Sequence, residues 1–276
     1  GRRSLHLGVC DLNGRLLGRF DFDSTGNFNR DFPDLTATVL EQVRGRLTLD
    51  PTANVALIRT ALRGVLAASS GVRESTVLKR ALLSLAMDAD FVFDLHCDGE
   101  ALLHLYAAQE QRDKAAALGA ELGAAAILLE EEPGGSPFDQ ACAGPWRHWR
   151  DALAEEGPVP LACFATTVEL RGQADVNDEC AVQDAAALLR FLQRCGVLAG
   201  DPGPLPELAC EASPLDGVDV LTAPAAGVLV YRKALGDRVL AGEVVAELVG
   251  LLGEPIGAFR TQIRTVTDGL LLTRAI

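Results

Sequence analysis

The sequence has 276 residues, 49% hydrophobic and 23% charged, an ordinary balance for a packed globular chain of one large domain or a large and a small one. Its 25 Lys and Arg against 38 Asp and Glu give a formal charge of −13, which repels phosphate backbones, and with no basic cluster to offset it nucleic acid is excluded as a partner. No apolar run approaches the roughly 18 residues of a membrane span and no signal peptide is visible, so a soluble, cytoplasmic protein with no membrane partner is expected. The seven cysteines (10, 97, 142, 163, 180, 195 and 210) are odd in number and contain no C-x-x-C, a pattern of free thiols in a reducing compartment.

The chain opens on Gly1, which points to a processed, tagged or incomplete N-terminus, and residues 5–20 carry no firm pattern. Residues 21–33 mix turn formers with Phe22, Phe28 and Phe32. They read equally as a loop anchored on the protein body or as a binding loop. Within them Asn29 and Arg30 set an amide beside a guanidinium, a pair able to hold a carboxylate in bidentate fashion.

Helices are predicted over 34–47, 51–67 and 72–87. The second has Asp50 as N-cap, Pro51 at its first position, and an apolar face of Val55, Ile58, Leu62, Val65 and Leu66. An aromatic and β-branched run then predicts a buried strand over 90–96. Alternation puts Val92, Asp94 and His96 on one face, so Asp94 can fix the tautomer of His96 as the outer shell of a metal site does. The other reading is a strand-end histidine satisfied by backbone. Cys97 points to the opposite face from His96, which argues against a Cys–His dyad.

A short strand (101–107), an Ala-rich helix (110–122) and a strand (124–129) follow. They lead to Glu130, Glu131 and Glu132 and the turn at Pro133-Gly134-Gly135, read as a solvated strand exit. Residues 137–156 predict a helix interrupted near Gly144-Pro145. A buried-type strand over 161–170 ends in Glu169, before Arg171-Gly172, and a helix spans 178–195. A carboxylate ending an apolar strand is costly to bury unless it is paired, hydrated or working. Glu169 is therefore either a proton-transfer group or the salt-bridge partner of Arg171. His104 and His148 lack ligand-like spacing and read as core or surface histidines. No G-x-S-x-G elbow, G-x-G-x-x-G or P-loop occurs.

Helices alternating with apolar strands predict a three-layer α/β sandwich. Pro202, Pro204, Pro206 and Pro214 mark 201–216 as a linker, and 217–276 reads as a small all-β module with strands at 218–221, 227–231, 238–239, 244–248, 261–266 and 269–273.

Three stretches carry a family resemblance: Asn27-Phe28-Asn29-Arg30-Asp31-Phe32-Pro33; Asp94-Leu95-His96-Cys97-Asp98 with Leu103-His104-Leu105-Tyr106; and Thr167-Val168-Glu169-Leu170-Arg171-Gly172. In order and spacing they resemble the succinylglutamate desuccinylase/aspartoacylase family, over nearly the whole chain. The resemblance implies a three-layer α/β/α zinc-carboxypeptidase-like domain over residues 1–200, the linker, and a barrel-sandwich-like β domain over 217–276. It implies Zn2+ as cofactor, with His96 as the third zinc ligand and Glu169 as the catalytic glutamate. Asn29 and Arg30 would hold the substrate carboxylate, and Arg30 would also help polarise the scissile carbonyl. The activity implied is a metal-dependent amidohydrolase that deacylates an N-acyl amino acid or a similar small carboxylated amide.

The departure is the family's upstream H-x-x-E, which supplies two more zinc ligands and occurs nowhere in this chain. The expectation is that those ligands precede the first residue given. The alternative is a non-catalytic small-carboxylate-binding relative that has lost the metal site. The β module, at Ala223–Leu229 and Leu235–Glu247, is similar to biotinyl and lipoyl carrier half-barrels, but Lys233 lacks the modified lysine's context. A cap over the active site is the expectation. A homo-oligomer is compatible with all of these readings.

Overall fold

The structure is a computed structural model that describes residues 26–131, 134–250 and 260–274. His6, Cys10, Phe22 and the open stretch 5–20 lie outside the described residues. In chain order come helices α1 (Thr36–Val43), α2 (Pro51–Ala68) and α3 (Glu74–Ala86), then strands β1 (Phe91–Asp98), β2 (Glu100–Ala101) and β3 (His104–Ala108). Next are α4 (Arg112–Leu122), β4 (Ala126–Glu130), α5 (Phe138–Ala152), β5 (Phe164–Gly172), α6 (Asp178–Arg194) and β6 (Ala212–Pro214). The remaining strands are β7 (Val228–Tyr231), β8 (Arg238–Val239), β9 (Val244–Val249), β10 (Arg260–Arg264), β11 (Gly269–Leu270) and β12 (Thr273–Arg274).

The chain divides into two compact units. One takes the described residues within Gly1–Asp94 and Glu131–Thr167, the other those within Leu95–Glu130 and Val168–Ile276. This division differs from the one read in the sequence, because β1 and β5 each start in the first unit and end in the second.

The first unit is a helical cluster on an apolar core. Asp50 accepts from the Thr52 N–H at 2.8 Å and Pro51 opens the first turn, so α2 starts where those two residues dictate. Val39, Ile58, Leu62, Leu66 and Leu83 close on Trp146, Trp149 and Leu153. The Trp149 Nε1–H donates to the Thr36 carbonyl at 3.0 Å, which satisfies the ring's single polar atom. The predicted break near Pro145 does not occur, since α5 runs through it. Burial of Cys142, Ala143, Trp146 and Trp149 on one face outweighs the roughly 3 kcal/mol that an interior proline costs. Pro145 lines a small apolar cavity of about 30 Å³ with Leu62, Leu83, Cys142, Trp146 and Cys163.

The second unit holds most of the sheet, ordered β1-β5-β3-β4-β6. Bonds from Phe164 N to Asp90 O (2.8 Å) and from Gln173 N to Asp98 O (2.9 Å) advance together, so β1 and β5 are parallel. β3 and β4 are parallel to each other, as are β4 and β6. β3 must run against β1: the short link from Asp98 to His104 reaches at most about 20 Å, less than the roughly 26 Å back along an eight-residue strand. β6 corrects the linker reading of 201–216. Ala212, Ser213 and Pro214 align with Ile127, Leu128 and Leu129, and an edge position spares Pro214 a ladder bond.

The β region joins β9 to β7 and β10 as an antiparallel sheet, with β8 paired to β11. The strand expected at 218–221 does not form. β12 pairs with β2, Thr273 opposite Ala101 and Arg274 opposite Glu100, and the Leu102 N–H donates to the Leu272 carbonyl at 3.0 Å. The end of the β region is thus bound to the turn that follows β1. Lys233 is ion-paired with Glu243 at 3.3 Å. No helix among the described residues is long and apolar enough to cross a membrane.

Candidate active site

In the first unit the loop bearing Asn29 and Arg30 is pinned from several directions. The Asn29 backbone N–H donates to Asn27 Oδ1 at 2.9 Å, an Asx turn that the sequence supplies locally. Asn29 Nδ2 donates to Asp94 Oδ2 at 3.1 Å, and Asn29 Oδ1 accepts from the Phe138 N–H at 2.9 Å, the first residue of α5. The N–H groups of Asp31 and Phe32 donate to the carbonyls of Gly135 (2.8 Å) and Ser136 (3.1 Å). Phe32 is buried, its ring 5.3 Å from that of Phe138. The loop is anchored on the body, as one of the two sequence readings had it. Arg30 Nη1 donates to the Asn29 carbonyl at 2.6 Å. Among the described residues no carboxylate pairs with Arg30, which stays half-buried. Asp94, read as a partner for His96, accepts a hydrogen bond from the loop at its Oδ2, donated by Asn29 Nδ2.

In the second unit His96 on β1 and Glu169 on β5 are both half-buried. The Phe164–Asp90 bond, with the Phe91 and Phe164 rings 6.1 Å apart, sets Phe91 opposite Phe164. Counted from that pair, His96 and Glu169 each lie the same number of residues further along their strands. By Gln173, β5 has gained one residue on β1. Arg171, at φ +70°, is the left-handed residue in that stretch, the geometry of a bulge beside a site.

Arg171 is not the partner of Glu169. Its guanidinium takes Asp184 on α6 with two bonds, of 2.8 and 3.1 Å. The strand-end salt bridge weighed in the sequence is thereby replaced. A side chain on Gly172 would come within 2.9 Å of the Gly99 carbonyl, so this glycine lets the end of β5 close on the 98–100 turn. Burial, then the charges of Glu169 and Asp98, push the Cys97 thiol up, away from the thiolate a nucleophile needs.

His104 opens β3, the strand next to β5, and is fully buried. Its Nδ1 lies 2.8 Å from the Leu102 carbonyl, and the ring meets Tyr106 edge-on at 5.3 Å. Burial pushes its pKa below the usual imidazole value, partly offset by the Leu102 bond. His148 is on the exposed side of α5, its Nδ1 3.1 Å from the Gly144 carbonyl. Core and surface roles for these two histidines match the sequence reading.

No family model matches the sequence, and no curated protein matches it. The fold is similar to that of a succinylglutamate desuccinylase/aspartoacylase family protein from Shewanella amazonensis SB2B, with a TM-score of 0.82 and 25% identity over 96% of this chain and 73% of that one. A structure named for the same two activities, from Shewanella frigidimarina NCIMB 400, gives a TM-score of 0.81 at 23% identity, covering 95% of this chain and 71% of that one. The chain has the fold of succinylglutamate desuccinylase/aspartoacylase family proteins. A third, from Rhodobacter sphaeroides, shares the fold of the family more distantly, at 17% identity and a TM-score of 0.53 over 72% of this chain and 57% of that one.

The family resemblance implies zinc, and the described residues do not fit it as a set. Among them no three His, Cys, Asp or Glu gather as a metal site, where a catalytic zinc takes three protein ligands. Two structural partners escaped the sequence reading. Asp184 carries no local signal, because it meets Arg171 only through the α6 packing. Gly135 was visible as part of a Gly-Gly turn, but its neighbour Arg30 is distant in the chain.

Proposed function

We propose that the chain is a hydrolase that cleaves the acyl amide of an N-acylated amino acid or a similar small carboxylated substrate. The observation that carries this reading is Arg30, a guanidinium held in a braced loop with no carboxylate of the described residues on it. Its fork of N–H donors matches the two oxygens of a substrate carboxylate. The likeness to the two Shewanella proteins supports the class of reaction.

Asn29 shares the carboxylate site by holding Arg30's loop in place. Glu169 takes a proton from the attacking water and returns it to the leaving amine. Arg171 supports this role, since it is committed to Asp184. Zinc, with His96 as a ligand, is the cofactor that the reading carries over from the resemblance. A cytoplasmic location accords with the six free cysteines among the described residues.

The test is Glu169→Gln assayed on N-acetyl and N-succinyl amino acids. Turnover should fall by about 10²- to 10⁴-fold with substrate affinity nearly kept; unchanged turnover sinks the assignment. A second reading, a carboxylate-binding relative without catalysis, is favoured by the lack of a three-residue metal set among the described residues. It predicts stabilisation by carboxylates that a chelator does not alter, no turnover, and no zinc on metal analysis of the purified chain.

A further inference from the structure

The segment after β4 comes back against the Arg30 loop in a way the proposed reaction does not explain by itself. Asp31 and Phe32 donate to Gly135 and Ser136, so the two stretches run side by side. Three residues here have left-handed backbone: Asp31 (φ 56°), Gly135 (φ 83°) and Ser136 (φ 42°). Two of them are not glycine, and such conformations persist only where the surroundings enforce them. A Cβ on Gly135 would lie 2.8 Å from Arg30 Cδ and 3.4 Å from Arg30 Nε. The space that Gly135 leaves is therefore occupied by the stem of Arg30.

We propose that Gly135 is a positioning residue for Arg30: its missing side chain makes the seat in which the guanidinium stem lies, and so sets where a substrate carboxylate is held. The left-handed backbone at 135–136 keeps that seat open. Arg30 then presents its free N–H donors from a fixed stem, with its Nη1 on the Asn29 carbonyl. A residue with a side chain at position 135 would push the guanidinium off that carbonyl and spoil the match to two carboxylate oxygens. This inference rests on the reading of Arg30 as a carboxylate site.

The experiment is succinate titration by calorimetry on the full chain, for the wild type, Arg30→Ala, Gly135→Asn and the double variant, with a crystal structure of Gly135→Asn. Asn tolerates left-handed backbone and still adds a Cβ, so this variant keeps the fold where Gly135→Ala would be strained. Arg30→Ala should weaken succinate about tenfold or more, the worth of a charged hydrogen bond. Gly135→Asn should weaken it by a similar factor alone and within about twofold in the Arg30→Ala background, the mark of two residues acting through one contact. Equal weakening by Gly135→Asn in both backgrounds overturns the inference. If the wild type does not bind succinate, the carboxylate reading falls instead. The inference is then decided by the crystal structure, where Arg30 still seated on the Asn29 carbonyl overturns it and Arg30 displaced upholds it.

Discussion

Trp149 in the first unit and Glu121 in the second are buried to a similar degree, 1% and 5% exposed, yet each holds its unit by different physics. Trp149 packs into an apolar cluster, with one hydrogen bond from Nε1 to the Thr36 carbonyl. Around Glu121 the contacts are charged: Arg190 Nε at 2.8 Å and Arg194 Nη2 at 2.6 Å, both reaching from α6 to α4. Burial would push the Glu121 carboxyl up, but the hydrogen bonds and charges of Arg190 and Arg194 outweigh it and hold it below the usual carboxylate range. The second unit repeats this device with Arg171 on Asp184 and with Arg232 and Arg260 on Glu247. Dispersion and burial change little with pH, whereas a paired buried carboxylate is linked to it. The two halves of one chain should therefore fail under different conditions.

The largest effect expected is Trp149→Ala, about 3–5 kcal/mol of lost stability. Both tryptophans of the chain are in the first unit, so the remaining Trp146 reports its unfolding by fluorescence. A denaturant midpoint unchanged by the substitution would remove the claim that the ring organises that core.

Next is the double variant Arg190→Ala/Arg194→Ala, expected to cost about 3 kcal/mol because it strands a buried carboxylate. Glu121→Gln should cost less, about 1–2 kcal/mol, since the two arginines return to solvent. The reverse order, read by hydrogen exchange in α4 and α6, would mean that the ion pairs are ornamental. The sign with pH follows from the lowered carboxyl. Its contribution is complete above the ordinary Glu value and is lost as pH falls through the lower folded value.

The smallest effect concerns His104. Its pKa is depressed in the folded chain, so on acidification the unfolded state takes up a proton first. Stability of the second unit should fall as pH drops below about 6.5 and be flat with respect to this group above it. His104→Gln, melted between pH 5 and 8 by circular dichroism at about 0.5-unit steps, should show a shallower slope than the wild type. An identical slope would assign the acid response elsewhere.

What the sequence disclosed follows the same line between local and distant causes. α2 was legible from Asp50, Pro51 and an apolar stripe, because caps and periodicity are written within a few residues. β1 and β5 were legible as apolar runs ending in ionisable groups. Pro145 misled because its penalty is local, whereas the burial that overrides it comes from α1, α2 and α3. β6 was hidden among prolines because only its alignment with β4 makes it a strand. Asn29 and Arg30 in the first unit, and His96 and Glu169 in the second, stood out by type and order. The commitment of Arg171 to Asp184 and the seat at Gly135 required the folded chain.

The pairing of β12 with β2 bears on how the molecule is made. Ribosomes deliver a chain from its N-terminus, and contacts of large sequence separation wait for both partners. The turn after β1 gains its strand partner only once residues 273 and 274 have emerged. Until then Glu100 lacks Arg274, with which it forms an ion pair at 3.1 Å. A nascent chain stalled inside the β region would thus carry a finished α2 but an unlatched strand-end turn, a window in which chaperones or proteases would meet this protein.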